Sequence, residues 1–231
     1  MGDRKAELAA NLAAVEERLA AACAAAGRPR EDVTLVAVTK TFPASDVRIL
    51  ADLGVRHIGE NRDQDAAPKA EACADLDLTW HFVGALQTNK ARSVAGYADW
   101  VHSVDRDRLV AALGKAARRA GRTLRCLIEV RLGEGEERAG AAPADVPRLA
   151  DLAASTEGLT LGGVMGIAPL GGSPDPAFAS LAEVAERLRA DHPGASAISA
   201  GMSADLESAV RYGATHVRIG TALLGIRPPN R

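Results

Sequence analysis

Leu8, Leu12, Val15 and Leu19 recur at intervals of four, three and four residues, and this single apolar stripe predicts a helix over 4–26. Gly27 and Pro29 end it. The pattern then changes to short, β-branched runs, each followed by a stretch with helical periodicity. Strands are predicted at 33–39, 55–59, 79–83, 100–104, 124–132, 159–167, 197–200 and 215–220. Helices are predicted between them at 45–53, 62–74, 87–94, 106–120, 145–155, 176–190 and 204–212.

A strand followed by a helix, repeated about every 20–35 residues, argues for parallel pairing. Eight such units suit an α/β fold, a closed (β/α)₈ TIM barrel preceded by one additional N-terminal helix. A doubly wound open sheet is the competing layout. No Pro/Ser-rich linker or composition break divides the chain, so one domain is expected over 1–231: the helix in 1–30, the barrel in 31–225 and a tail in 226–231. The loop 133–140 is the expected mobile segment, and Glu134, Glu136 and Glu137 in it are expected to form a solvated face.

Composition narrows the function classes. Of 231 residues, 47% are hydrophobic and 25% charged, which excludes wholesale disorder. A formal net charge of -2 gives no general pull toward nucleic acid or an anionic membrane. With 3% aromatics, a base-stacking platform is not expected. The longest apolar run, 19–26, is far too short for a membrane span. Asp3, Arg4, Lys5 and Glu7 are followed by no signal-peptide core. Cys23, Cys73 and Cys126 are odd in number and far apart, as reduced thiols of a cytoplasmic protein would be. The basic residues are strongly biased to arginine; only Lys5, Lys40, Lys69, Lys90 and Lys115 are lysines. A lysine at a special position therefore invites amine chemistry, because an amine can lose its proton and attack a carbonyl whereas a guanidinium cannot.

In a barrel, ligand groups gather where strands end. Those positions carry Lys40, Glu60 and Asn61, Gly84, His102 and Ser103, Met165 and Gly166, Ser199 to Ser203, and Arg218 to Thr221. Strand parity places Lys40 with Thr34, Val36 and Val38, and Arg218 with His216. The opposite faces are apolar, so Lys40 and Arg218 are expected inward at the rim. A partly desolvated lysine there would have a lowered pKa; the alternative is an ammonium that simply reaches solvent. Ser199, Gly201 and Ser203 precede a helix and Gly220-Thr221 forms a second small-residue turn, together an expected phosphate site. The alternative for Ser203 is the N-cap of helix 204–212.

Other motifs fail. Gly133-Glu134-Gly135 lacks a third glycine, no P-loop occurs, and Gly201-Met202-Ser203-Ala204-Asp205 is not a nucleophile elbow. His57, His81 and His102 fall on three successive predicted strands without metal-ligand spacing. Hydrogen-bonding roles are expected for them, with a metal-dependent barrel hydrolase as the alternative.

Six segments carry a family resemblance: Val36-Ala-Val-Thr-Lys40-Thr, Gly59-Glu-Asn61, Trp80-His-Phe-Val-Gly84, Leu86-Gln-Thr-Asn-Lys90, Gly201-Met-Ser203 and Val217-Arg-Ile-Gly-Thr221. In order and spacing they resemble the pyridoxal phosphate homeostasis protein family (YggS-like, PROSC-like), itself similar to the N-terminal barrel of alanine racemase and to the other fold-type III pyridoxal phosphate proteins. The resemblance implies pyridoxal 5′-phosphate as cofactor, held as a Schiff base on Lys40. It implies Ser199, Gly201, Ser203, Gly220 and Thr221 around the phosphate, Arg218 facing the pyridine nitrogen, and Asn61, His81 and Met165 lining the ring pocket. Ala200 and Gly166 depart from the family pattern without removing a functional atom, and the role of Lys90 stays open. An arginine at the pyridine nitrogen makes the ring a weaker electron sink. Racemases of this fold also use a tyrosine from a C-terminal domain that is not expected beyond Arg231; Tyr97 lies just beyond a predicted helix and Tyr212 at the end of another. The expectation is a monomeric, cytoplasmic protein of vitamin B6 balance with little or no turnover, pyridoxal phosphate-dependent apoenzymes as its partners, and no metal, nucleic acid or membrane. A catalytically active amino-acid racemase or lyase is the alternative.

Overall fold

The computed structural model describes residues 2–133 and 139–225. Its eight strands are β1 (Thr34–Val38), β2 (His57–Glu60), β3 (Thr79–Phe82), β4 (Trp100–Val104), β5 (Leu124–Val130), β6 (Leu159–Gly166), β7 (Ala197–Ser199) and β8 (His216–Ile219). They lie parallel and in sequence order, and β8 pairs back on β1 through Thr34↔His216 and Val36↔Arg218. That pairing closes the barrel and excludes the open sheet. The helices are α1 (Gly2–Ala25), α2 (Ala44–Asp52), α3 (Asp63–Ala72), α4 (Ala91–Tyr97), α5 (Asp107–Ala120), α6 (Val146–Ser155), α7 (Asp175–Asp191), α8 (Leu206–Arg211) and α9 (Thr221–Leu224). Glu134, Glu136, Glu137 and the tail 226–231 lie outside the described residues.

Alternation along each strand sorts side chains to the two sides of the barrel wall. Outside, Val101, Val104, Ile128, Val130 and Val164 meet Leu109, Leu113, Leu149, Phe178 and Leu181 of α5, α6 and α7 in one buried apolar layer. A second layer joins Leu35, Ala37, Val217 and Ile219 to Leu8, Val15 and Leu19 of α1. The N-terminal helix thus covers the seam where the barrel closes. It is fastened by polar ties as well: Arg4 donates to Asp46 (2.6 Å) and to the Leu224 carbonyl (3.0 Å), and Arg18 donates to Glu207 (2.8 Å) and the Ser203 carbonyl (3.1 Å).

Three local differences from the sequence pattern have physical causes. The predicted helix at 87–94 divides into a 3₁₀ turn, Thr88–Lys90, and α4. The predicted helix at 204–212 starts later, at Leu206, because the Asp205 carboxylate accepts the Met202 N–H (2.6 Å) and holds the preceding turn. The four-residue α9 is too short to show a period; α1 holds it in place, Asn11 donating to the Leu223 carbonyl (3.0 Å).

Candidate functional site

The first strand stops at Val38, two residues before Lys40. The connecting turn is tightly specified. Thr39 donates its N–H to the Gly59 carbonyl (2.9 Å), and Thr41 is the one non-glycine residue with positive φ (69°) among the described residues, a costly conformation for a β-branched side chain. Behind the turn lies a buried polar knot. Thr39 Oγ1 donates to Glu60 Oε1 (2.6 Å), Lys69 Nζ donates to the Thr39 carbonyl (2.8 Å), and Lys69 and Glu60 form a buried ion pair. Burial pushes the Glu60 carboxyl up, while hydrogen bonds from Lys69 and Thr39 hold it down. Lys40 itself is exposed, and its amine has no hydrogen bond or ion pair among the described residues. The expectation of a desolvated amine is thereby corrected: the strand ends too early to keep Lys40 inside the rim, and it is the turn beneath it that is buried.

Arg218 is where parity predicted, inward on β8 and 5% exposed. It donates to Ser199 Oγ (2.6 Å) and to the Gly166 carbonyl (3.1 Å). Burial lowers its pKa to about 10, opposed by Glu129 and Asp205, so it remains a cation at neutral pH. Gly166 is small for a reason: a Cβ there would come within 2.6 Å of Leu132 and 2.9 Å of Leu181. Ser199 is completely buried, and His102 Nδ1 also lies 2.9 Å from its hydroxyl. The grouping of Ser199 with a phosphate turn is therefore revised, since its hydroxyl is committed on the arginine side. His81 is buried in mid-barrel, stacked on Trp100 with ring centroids 5.5 Å apart. Met165 is wholly buried beside Leu127 and in register with Ser199.

The turn at 201–203 is built differently from a helix cap. Gly201 has φ 89°, and a Cβ on it would stand 2.6 Å from Ala209. Ser203 does not cap the helix that follows it. Its Oγ accepts the N–H of Ala222 (3.2 Å) in the first turn of α9, which lashes the 201–203 turn to Gly220 and Thr221. The hydroxyl protons of Ser203 and Thr221 have no acceptor among the described residues. Asn61 sits at the end of β2 against Gly84, where an added Cβ would lie 2.2 Å from the Asn61 carbonyl oxygen. Lys90 Nζ lies 3.8 Å from Asp63 Oδ2, half exposed.

Sequence reasoning passed over one group and one pairing. Glu129 faces inward on β5 in register with Met165, 6% exposed, and no hydrogen bond joins its carboxyl to another described residue. Burial and the Asp105 charge push that carboxyl up to about 7, against the pull of Arg218. The other is the Glu60–Lys69 pair. The histidines do not converge as a metal site would. Their ring nitrogens bond to one another in sequence, and no group of three His, Cys, Asp or Glu among the described residues is arranged to hold a metal ion. Tyr97 belongs to α4, with its ring against Trp80, and burial raises its hydroxyl pKa strongly.

Known proteins share this fold. Residues 10–228 match the family described as alanine racemase, N-terminal domain. A pyridoxal phosphate homeostasis protein of Mycobacterium tuberculosis is 46% identical over 97% of this chain and 95% of its own length. PipY of Synechococcus elongatus, solved with pyridoxal phosphate bound, superposes with a TM-score of 0.83 at 36% identity, covering 94% of this chain and 100% of that one. An alanine racemase from Clostridium difficile shares the fold alone, with a TM-score of 0.73 at 14% identity over 97% of this chain and 58% of that one.

Proposed function

The chain belongs to the pyridoxal phosphate homeostasis protein family, and from that premise we propose that it binds pyridoxal 5′-phosphate at the C-terminal mouth of the barrel, attached through Lys40, and serves the intracellular balance of vitamin B6 with little or no turnover of amino acids. The observation that carries this reading is the uncommitted Lys40 amine at the same mouth as a buried guanidinium and two lashed small-residue turns.

The residues suit the group. Gly201 packs its turn tightly against Ala209 and Gly220 packs beside Val38, Ser203 and Thr221 offer hydroxyl donors to a phosphate, and Arg218 offers a fixed cation. When bound, pyridoxal phosphate supplies an aldehyde carbon that takes up a primary amine and a ring that withdraws electrons. Lys40 provides the amine. Thr39, Glu60 and Lys69 fix the turn that presents it. Arg218, which keeps its proton, would face the ring nitrogen and could donate a hydrogen bond to it without transferring that proton. Asn61 and Met165 would line the ring. Tyr97 belongs to α4 with its ring against Trp80, which supports limited turnover, because racemisation at a second face needs a second base.

The same reading takes the protein as a cytoplasmic monomer with pyridoxal phosphate-dependent apoenzymes as its partners, whether by carriage, buffering or delivery. No helix among the described residues is long and apolar enough to cross a membrane. Borohydride reduction of the loaded protein followed by peptide mapping should place the adduct on Lys40, and Lys40→Ala should abolish the visible absorption band. An adduct elsewhere would overturn the assignment of Lys40; sustained racemisation of L- or D-alanine at enzyme-like rates would overturn the limited turnover.

A further inference from the structure

Five side chains on five strands form one continuous hydrogen-bonded line through the barrel. His57 Nδ1 lies 2.9 Å from His81 Nε2, His81 Nδ1 lies 2.9 Å from His102 Nε2, and His102 Nδ1 lies 2.9 Å from Ser199 Oγ. Arg218 closes the line at 2.6 Å from the same oxygen. At the other end, half-buried His57 lines a cavity of about 360 Å³ at the N-terminal mouth, together with His216, Arg125 and Thr34.

The line has a direction because its last member can only donate. Ser199 Oγ accepts from Arg218. Its own proton then goes to His102 Nδ1, its one acceptor among the described residues. A neutral imidazole that accepts at Nδ1 must carry its proton on Nε2. His102 therefore donates to His81, which for the same reason donates to His57. All three imidazoles share one tautomer. One other arrangement keeps every bond between rings: all three carry the proton on Nδ1, and the Ser199 proton is released from His102. A mixed arrangement sets two donors or two lone pairs face to face, and a buried polar group left unpaired costs about 1–3 kcal/mol.

We propose that this line is a two-state tautomer relay, in which His102 and Ser199 are positioning residues for Arg218 and the setting of the Ser199 hydroxyl is coupled to the exposed ring edge of His57 at the opposite mouth. Both states hold the same number of protons, so the relay reverses without net charge. An acceptor such as a carboxylate at His57 Nε2 favours the first state, and a donor such as an ammonium favours the second. The coupling is reciprocal, as for any two sites linked through one two-state element. The groups that face the line are His216 and Arg218 from β8, Arg125 from β5 and Asp99 beside His57. Burial pushes His81 and His102 well below the ordinary imidazole range and lowers His57, which keeps the rings neutral and able to accept.

The relay's geometry stands on the free chain; its consequence for a bound ring rests on the function proposed above. The test accordingly uses the full chain without cofactor, labelled with ¹⁵N-histidine and observed by long-range ¹H–¹⁵N correlation. His57, His81 and His102 should be neutral at pH 7 and all protonated on Nε2. Ser199→Asp places an acceptor-only group beside His102 and should invert all three, including His57 on the far face. Adding His81→Phe should leave His57 unresponsive, and Ser199→Thr should keep the original tautomer. A mixture of tautomers along the wild-type line, a charged imidazole, or an inversion confined to His102 would overturn the proposal whether or not Lys40 carries the cofactor. If Ser199→Asp does not fold, the wild-type tautomers alone decide between the relay and its absence.

Discussion

The barrel wall has a dry side and a polar side. Between strands and helices, Leu109, Leu113, Leu149 and Phe178 fill space with carbon alone. Inside, on β2, β3, β4, β7 and β8, the filling is His57, His81, His102, Ser199, His216 and Arg218. Branched aliphatic residues ordinarily dominate that interior. Here their place is taken by groups that must each find a partner: five of them do so in a single line, while His216 Nδ1 meets Thr215 Oγ1 at 2.8 Å. The outer layer holds the fold by volume and tolerates repacking. The inner layer holds a geometry by hydrogen-bond parity, and a change at one member is felt by the next.

Substitutions separate the two layers. Phe178→Ala on the dry side should cost about 3–5 kcal/mol in denaturant melts, through lost contacts and the cavity left behind. A loss of less than about 1 kcal/mol would mean that the outer layer does not set stability. Glu60→Ala, which strands the buried Lys69 ammonium, should cost about 3–5 kcal/mol as well, while replacing both partners by apolar residues of similar volume should restore most of it. Failure of that restoration would show that the pair acts through the Thr39 turn and not through desolvation.

Glu129 sharpens the contrast by its pH dependence. Its folded pKa of about 7 lies above its ordinary 4.5, so the folded state retains a proton that the unfolded state releases. Stability is then lost as pH rises from 4.5 to about 7, by up to about 3 kcal/mol, and Glu129→Gln should recover it above that range. The histidines act in the opposite sense: their lowered pKa values withdraw stability as pH falls below about 6.5, toward about 4 for His216. A wild-type stability profile between about pH 4 and 8 that matches that of Glu129→Gln would remove this carboxyl from the interior balance. The smallest expected effect concerns the Ser203 hydroxyl. Ser203→Ala should weaken pyridoxal phosphate retention by about 1–3 kcal/mol, while the lost bond to Ala222 costs about 0.5–1.5 kcal/mol in the melt of the unloaded protein.

Much of this was visible in the chain. The alternation of β-branched runs with 3.6-residue periods specified the barrel, and parity alone put Arg218 inward. The three histidines could be assigned to neighbouring strands. Their bonding could not, because it depends on the stagger between strands, which side-chain identity does not report. Glu129 carries no signal of its own in the sequence, since 124–132 reads only as a strand; alternation within it sets Glu129 beside Leu127 and Arg131 on the inner face. Lys69 gave no signal, since its value lies in how α3 packs behind the turn of Thr39. Ser203 looked like a cap because the nearest helix in sequence follows it, whereas the helix it serves begins at Thr221.

The Ser203 carbonyl is gripped by Arg18 from α1, and the Ser203 hydroxyl by Ala222 of α9, which α1 also steadies. An amphipathic rod outside the barrel thus acts as a strut beneath a turn it never lines. On gentle warming, fraying of that rod would slacken this turn before the strands open. A phosphate held there, as proposed above, would then be released at a lower temperature than the scaffold melts.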